Sequence, residues 1–148
     1  MSVRRATLRC VEVTAADIAR IRQTNLHIPV AEFVAFWVAA EAHRDRHPQD
    51  WYVAGVIQTL RWLAGAHMRP RSGPGYVQWS PVTRSRRWVL QEMVEAECLA
   101  AEVLDMRRPV PQWLAERPGW LAGVCGTLNW AWRRTVSPPL DLGQRAAG

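Results

Sequence analysis

The chain of 148 residues contains no lysine, and all 19 of its basic residues are arginines. The absence of lysine beside abundant alanine, arginine, glycine and tryptophan is typical of a GC-rich coding sequence, so the arginine count alone is a weak indication of nucleic-acid binding. The formal net charge is nevertheless +6 at pH 7. A positive surplus of this size attracts anionic partners.

The chain also lacks the patterns of a secreted or membrane protein. Its three cysteines, Cys10, Cys98 and Cys125, include no C-x-x-C pair, which argues against a disulfide framework and a zinc site. The first ten residues contain no apolar signal-peptide core, and no apolar run approaches the roughly 18 residues that span a bilayer. We therefore expect a cytoplasmic protein with reduced thiols and no transmembrane segment.

Motifs of catalysis are absent as well. The sequence contains no P-loop, no G-x-G-x-x-G fingerprint and no Ser/His/Asp order. His43 and His47 are four residues apart on a predicted helix, a spacing that suits a metal ion, but no third ligand follows at a fixed spacing. We therefore expect a non-enzymatic protein with no catalytic residues, no cofactor and no metal site.

Tryptophan is abundant instead, with nine residues in a chain that is 49% hydrophobic and 22% charged. These bulk fractions are typical of a globular protein, and the length suits a single domain over residues 1–148 with a sizeable core. Nine indoles cannot all lie inside one small core. Some should be partly exposed, and exposed tryptophan favours interfaces.

Helical spacing and capping signals predict an all-α protein. Thr14 with Asp17 starts a first helix, and a short strand is expected before it over about 6–13. A linker rich in proline and glycine covers about 66–83, where residues 76–79 are compatible with extended structure, and one helical turn is expected around Trp113–Glu116. The main helices are predicted at about 15–25, 28–47, 49–65, 84–106 and 119–134.

Two of these helices share a sequence pattern. Residues 51–62, WYVAGVIQTLRW, and 120–130, WLAGVCGTLNW, share the pattern A-G-V-x-x-T-L-x-W. A glycine inside a helix costs about 1 kcal/mol relative to alanine, so Gly55 and Gly123 predict a close approach of two backbones. The alternative is that each glycine makes room for a ligand. The matching core positions are Gly55, Thr59, Trp62, Gly123, Thr127 and Trp130.

The similarity extends upstream, where Ala40-Glu41 aligns with Ala96-Glu97. Each half then forms one helical hairpin, over about 28–65 and about 84–134. A hairpin of this size cannot bury its own apolar face, so it would pack against its twin. The predicted fold is a pseudo-two-fold bundle of two helical hairpins with an N-terminal strand and helix appended.

Glu41 and Glu97 each place a carboxylate within an apolar helix face. A buried carboxylate needs partners, and the nearest candidates are the hydroxyls of Thr59 and Thr127, the indole N–H groups of Trp62 and Trp130, and arginines. One interpretation is a matched pair of buried polar anchors. The other is a metal or acid–base site of a carboxylate-bridged bundle, although neither glutamate is followed three residues later by histidine.

Arginines alternate with aromatic residues from 69 to 87. Arginine interleaved with aromatic rings suits phosphate contacts and base stacking. The competing explanation is charge balance against the acidic fourth helix. The candidate nucleic-acid-binding residues are Arg69, Arg71, Tyr76, Trp79, Arg84, Arg86 and Arg87.

Three hypotheses follow for the function. The first is a small intracellular adaptor that acts through contact with a protein partner or through self-association, as the surplus of tryptophan suggests. The second is a nucleic-acid-binding accessory or regulatory protein that uses the arginine-rich segment. The third is an enzyme or metal site built on Glu41 and Glu97.

Overall fold

The computed structural model describes residues 12–70 and 72–142, and its regular structure there is mostly helical. A two-stranded antiparallel sheet pairs His67 with Val77 and Met68 with Tyr76. The predicted all-α class therefore holds in outline. The helices are α1 (Ala15–Arg20), α2 (Val30–Arg46), α3 (Trp51–Leu63), α4 (Gln91–Met106), α5 (Gln112–Ala115) and α6 (Trp120–Leu128); the strands are β1 (His67–Met68) and β2 (Tyr76–Val77).

Local capping explains where two of the helices begin. At α1 the Thr14 hydroxyl accepts the Asp17 N–H, and the Asp17 carboxylate accepts the Thr14 N–H, which is a complete capping box. The Asp50 carboxylate accepts the N–H groups of Tyr52 and Val53 at the start of α3. The first helix is nevertheless shorter than predicted, because Ile21 turns to extended backbone after Arg20 and a separate 3-10 turn covers Gln23–Asn25.

The prediction that the fourth helix starts near 84 is wrong. Arg84 has a φ of 55°, which lies in the left-handed region and cannot continue a right-handed helix. Thr83 does not cap a helix; its N–H and hydroxyl bind Glu97 instead. Residues 81–90 therefore form a loop, and α4 begins only at Gln91.

The N-terminal strand predicted over 6–13 falls largely on residues 6–11, which lie outside the described residues. Glu12 and Val13 are described, and neither belongs to a strand. At the other end of the chain, the last predicted helix, 119–134, is regular only over α6. It continues as a wider π-helical turn over Asn129–Arg133.

The centre of the fold is the crossing of α3 and α6 at their glycines. A Cβ on Gly55 would lie 2.1 Å from the carbonyl oxygen of Trp120 and 3.2 Å from the Val124 nitrogen. Both atoms belong to the backbone of α6. The close approach predicted from the sequence is therefore present, and helix backbone fills the space beside Gly55 where a ligand was the alternative.

The second glycine makes the corresponding contacts. A Cβ on Gly123 would lie 2.2 Å from the carbonyl oxygen of Tyr52 and 3.1 Å from the Val56 nitrogen. When the two copies of the repeat are aligned, Tyr52 corresponds to Trp120 and Val56 to Val124. The two glycine contacts are thus reciprocal.

Most of the tryptophan is inside the protein. Five indoles are buried, those of Trp37, Trp62, Trp120, Trp130 and Trp132. Trp79 is half-buried, while Trp51, Trp88 and Trp113 are exposed. The core therefore accounts for much of the surplus that suggested a protein interface. Within residues 12–70 and 72–142, no helix combines the length and apolar character needed to cross a membrane.

Candidate nucleic-acid interface

Glu41 is buried, and its carboxylate accepts hydrogen bonds from one arginine and one indole. The Nε and one terminal nitrogen of Arg61 donate to its two oxygens at 2.8 and 2.9 Å, and the Trp37 indole donates at 3.2 Å. Arg61 is itself buried in α3. An arginine and an indole were expected partners, but the indole is that of Trp37 on the same helix and not that of Trp62.

Glu97 is buried as well, and its partners belong to a loop. Its carboxylate accepts the N–H groups of Val82 and Thr83 and the hydroxyl of Thr83, the last at 2.6 Å. No arginine binds this carboxylate among the described residues. Glu97 therefore fixes the loop before α4 onto the helix.

The threonines of the repeat do not serve the glutamates. Thr59 and Thr127 each donate their hydroxyl to the carbonyl of the glycine four residues earlier, at 2.8 Å in both cases. The side chains of Glu41 and Glu97 have no partner in common. In the described part of the chain, no group of three or more histidine, cysteine, aspartate or glutamate residues is arranged to hold a metal ion.

The rings of His43 and His47 contact each other at the end of α2, with centroids 4.4 Å apart and a tilt of 35° between the ring planes. Burial and the nearby positive groups of His47 and Arg46 lower the pKa of His43. Both effects disfavour the charged imidazole. The pair is thus a packed contact at a helix end, and no third ligand accompanies it among the described residues.

The loop held by Glu97 carries the predicted arginines. Ser80 is buried; its hydroxyl accepts the Ser85 N–H and pairs with the Thr83 hydroxyl, both at 2.7 Å. This bracing places the guanidinium carbons of Arg84 and Arg86 at 5.4 and 4.3 Å from the centroid of the Trp79 ring. Both distances suit cation–π attraction.

Two further aromatic rings lie in the same part of the chain. Tyr76 on β2 is exposed, and the exposed Trp88 packs against His67 of β1 at 5.4 Å between ring centroids. Trp88 was not among the candidate residues, although it follows Arg86-Arg87 directly in the sequence. We define the arginine–aromatic surface by Tyr76, Trp79, Arg84, Arg86, Arg87 and Trp88.

Within the described part of the chain, no ion pair joins an arginine of this surface to an acidic residue. The described ion pairs join Arg20 to Asp17, Arg61 to Glu41, and Arg133 to both Glu95 and Glu102. Two acidic residues of α4, Glu95 and Glu102, are thus paired with Arg133, and none of these ion pairs involves Arg84, Arg86 or Arg87. The sequence contained a signal for this, since no aspartate or glutamate occurs between Asp50 and Glu92.

Arg69 lies at the edge of a different cavity, which Glu12 and Asp17 also line together with Tyr76. Burial would raise the pKa of Asp17, but hydrogen bonds from Thr14 and the charge of Arg20 outweigh it, so the pKa is lowered. Asp17 therefore remains an anion near Arg69. The surroundings of Arg69 are electrostatically mixed, and Arg71 lies outside the described residues.

A cavity of about 220 Å³ opens beside Trp79. The Oε1 atom of Gln58, on α3, accepts the indole N–H of Trp120 at 3.0 Å. Because an indole N–H can only donate, this bond sets the orientation of the Gln58 amide. The cavity is lined by Gln58, Tyr76, Gln78, Trp79, Ser80 and Arg84.

No protein-family model, curated protein or solved structure matches the chain. Its function is therefore inferred from the chemistry of its own residues.

Proposed function

We propose that the protein binds nucleic acid through the arginine–aromatic surface, as an accessory or regulatory protein of the cytoplasm. The observation that carries the proposal is the placement of Arg84 and Arg86 over the ring of Trp79, on a loop whose arginines form no ion pair among the described residues. The free thiols Cys98 and Cys125 agree with a reducing compartment.

A guanidinium held over an aromatic ring suits phosphate recognition. The ring attracts the cation without using an N–H donor, so the N–H groups remain available for bidentate bonds to phosphate oxygens. An arginine without a carboxylate partner can bind phosphate without first breaking an ion pair. The rings of Tyr76 and Trp88 add exposed surfaces on which bases can stack.

The test is fluorescence anisotropy of labelled single-stranded and duplex oligonucleotides at several salt concentrations. The variant is the triple substitution Arg84→Ala, Arg86→Ala and Arg87→Ala. Since each phosphate contact adds nearly one unit to the slope of log K against log salt, we expect weaker binding and a slope reduced by about 2 to 3 units.

A matched control removes the same charge elsewhere. The triple substitution Arg44→Ala, Arg46→Ala and Arg107→Ala also lowers the net charge by three, at the ends of α2 and α4. It should leave the affinity and the slope close to those of the parent protein. Equal losses in the two triple variants, or no binding at physiological salt, would overturn the proposal.

A second candidate function, self-association, is favoured by the outer face of α4. Leu99, Val103 and Met106 are all more than half exposed. They lie opposite the buried face of the helix and follow the 4-3 spacing that joins helices in coiled coils. A second copy of this chain presents the same stripe, so the two stripes can pack against each other.

Sedimentation velocity over a range of protein concentrations tests this second candidate. The parent protein should sediment as a concentration-dependent dimer, and Val103→Glu should remain monomeric because it would bury an unpaired charge. Val38→Glu, at an exposed valine of α2, is the control and should still dimerise. A parent protein that stays monomeric at every concentration excludes self-association.

We also propose that the chain is a pseudo-two-fold pair of helical hairpins, about 28–65 and about 84–134. The reciprocal contacts of Gly55 and Gly123 and the matching hydroxyl bonds of Thr59 and Thr127 support it. A crystal structure tests it: superposing α4 and α6 on α2 and α3 should require a rotation close to 180°. A rotation far from this value would contradict the proposal.

A further inference from the structure

We infer that the cavity beside Trp79 binds a single unstacked nucleobase, so that the protein prefers single-stranded nucleic acid to duplex. This inference rests on the proposed function and names the ligand of the same surface. Two aromatic side chains, Tyr76 and Trp79, and two primary amides, Gln58 and Gln78, line the cavity, and Arg84 joins them. This is the combination of flat apolar surface and hydrogen-bonding groups that a base requires.

The size of the cavity limits what can enter. At about 220 Å³ it is smaller than the roughly 300–1,000 Å³ of sites that enclose drug-sized ligands. One ring system fits that scale, whereas the sugar and the phosphate would remain outside. Arg84 lines the cavity and also lies over the Trp79 ring, so the phosphate of the bound nucleotide would meet the arginines of the surface.

The amide of Gln58 has a defined direction. Its oxygen is occupied by the Trp120 indole, which leaves the NH2 group as the part of the amide that can donate to a ligand. Exposed acceptors on a base are the complement of such a donor. In a duplex these edges are paired and the faces are stacked, so a base would first have to leave the helix.

The experiment compares four ligands of the parent protein by anisotropy or by competition: a single-stranded oligonucleotide, an abasic strand of equal length, a duplex and a free mononucleotide. We expect the intact strand to bind at least about 5-fold more tightly than the abasic strand and the duplex, because stacking of one base is worth about 5- to 100-fold in affinity. A free mononucleotide carries the same base and phosphate as a nucleotide within a strand. Comparing its affinity with that of the single strand therefore shows whether the cavity binds free nucleotides or bases of a nucleic acid.

Two variants at exposed aromatic residues separate the cavity from aromatic surface elsewhere. Tyr76 and Trp113 are 48% and 42% exposed, but only Tyr76 lines the cavity, and Trp113 is not part of the arginine–aromatic surface. Tyr76→Leu should lose most of the preference for the intact strand and keep the affinity for the abasic strand. Trp113→Leu should retain the preference.

The outcomes test the base site separately from the proposed nucleic-acid binding on which it rests. If intact, abasic and duplex ligands bind equally and Arg84→Ala/Arg86→Ala/Arg87→Ala weakens all of them, the surface binds phosphates and the base site is wrong. An equal loss of preference in Tyr76→Leu and Trp113→Leu would also overturn the base site. If no ligand binds the parent protein at physiological salt, the proposed function itself fails.

Discussion

Gly55 lies so close to Trp120 that a Cβ at this position would stand 2.1 Å from the carbonyl oxygen of that tryptophan. The neighbour is helix backbone, which cannot rotate away as a side chain can. Gly55→Ala, and equally Gly123→Ala, should therefore push α3 and α6 apart. We expect each to lower the free energy of unfolding by about 1–3 kcal/mol or more, as measured by urea denaturation.

Gly126→Ala on α6 is the control for this prediction. A Cβ at Gly126 would meet side-chain atoms only, the Pro139 Cβ at 3.3 Å and the Tyr52 hydroxyl at 3.4 Å. Alanine is favoured over glycine in a helix by about 1 kcal/mol, which offsets the crowding. The stability of Gly126→Ala should stay within about 1 kcal/mol of the parent. If Gly55→Ala were as stable as Gly126→Ala, the two helices α3 and α6 could not approach each other as closely at Gly55 as described.

The second prediction concerns the buried ion pair of Glu41 and Arg61. Glu41→Gln removes the negative charge and leaves the guanidinium of Arg61 buried without a counter-ion. Breaking a buried pair on one side costs about 3–5 kcal/mol, and we expect a loss of this size in urea or thermal denaturation. The double variant Glu41→Leu/Arg61→Met should recover much of the loss, because neither charge is then buried. Additive losses in the double variant would argue against a direct interaction.

The third prediction links the core to the arginine–aromatic surface through Glu97. In Glu97→Ala the N–H groups of Val82 and Thr83, which belong to a half-buried and an exposed residue, lose their acceptor, and each lost hydrogen bond costs about 0.5–1.5 kcal/mol. The loop that positions Arg84 and Arg86 should then become less ordered. We expect weaker nucleic-acid binding by the folded variant, measured by anisotropy at a temperature where circular dichroism shows native helix content.

Glu41→Gln provides the matched comparison for Glu97→Ala. Both variants remove a buried carboxylate at aligned positions of α2 and α4, but the hydrogen-bond partners of Glu41 are Trp37 and Arg61 and not the loop. The folded fraction of Glu41→Gln should bind nucleic acid with the parent affinity. A similar weakening in both variants would attribute the effect to general destabilisation and not to the loop.

The glycine crossing was predictable from sequence because glycine within a helix has a local cost that close packing of two backbones can offset, although a ligand beside each glycine was the alternative. The partners of the two glutamates were less predictable, since they depend on tertiary contacts. Trp37 lies four residues before Glu41 on one helix and was within reach of sequence reasoning. Val82 and Thr83 were not, because their role depends on a loop that folds back onto α4.

The start of α4 was also unpredictable, because it depends on tertiary contacts. Residues 84–90 continue an apparently helical pattern, and nothing local forbids a helix there. The left-handed backbone of Arg84 is compatible with the fold because Ser80 and Glu97 bond the preceding turn, and Glu97 is fourteen residues away from Thr83. Trp88, by contrast, could have been included in the candidate surface from its position beside Arg86 and Arg87.

The fourth prediction concerns the thiol of Cys98, whose pKa is raised by burial from 9.0 to about 11, an effect that exceeds the opposing charge of Arg133. At pH 8 the native protein should therefore react with iodoacetamide far more slowly at Cys98 than the protein unfolded in urea, because the thiolate is the nucleophile. Since the pKa is raised in the folded state, the contribution of this thiol to stability is complete below about pH 9 and is lost as the pH rises towards 11. Mass spectrometry of the labelled peptides measures the rate, and equal labelling of the native and unfolded protein at pH 8 would show that Cys98 is not buried in the core.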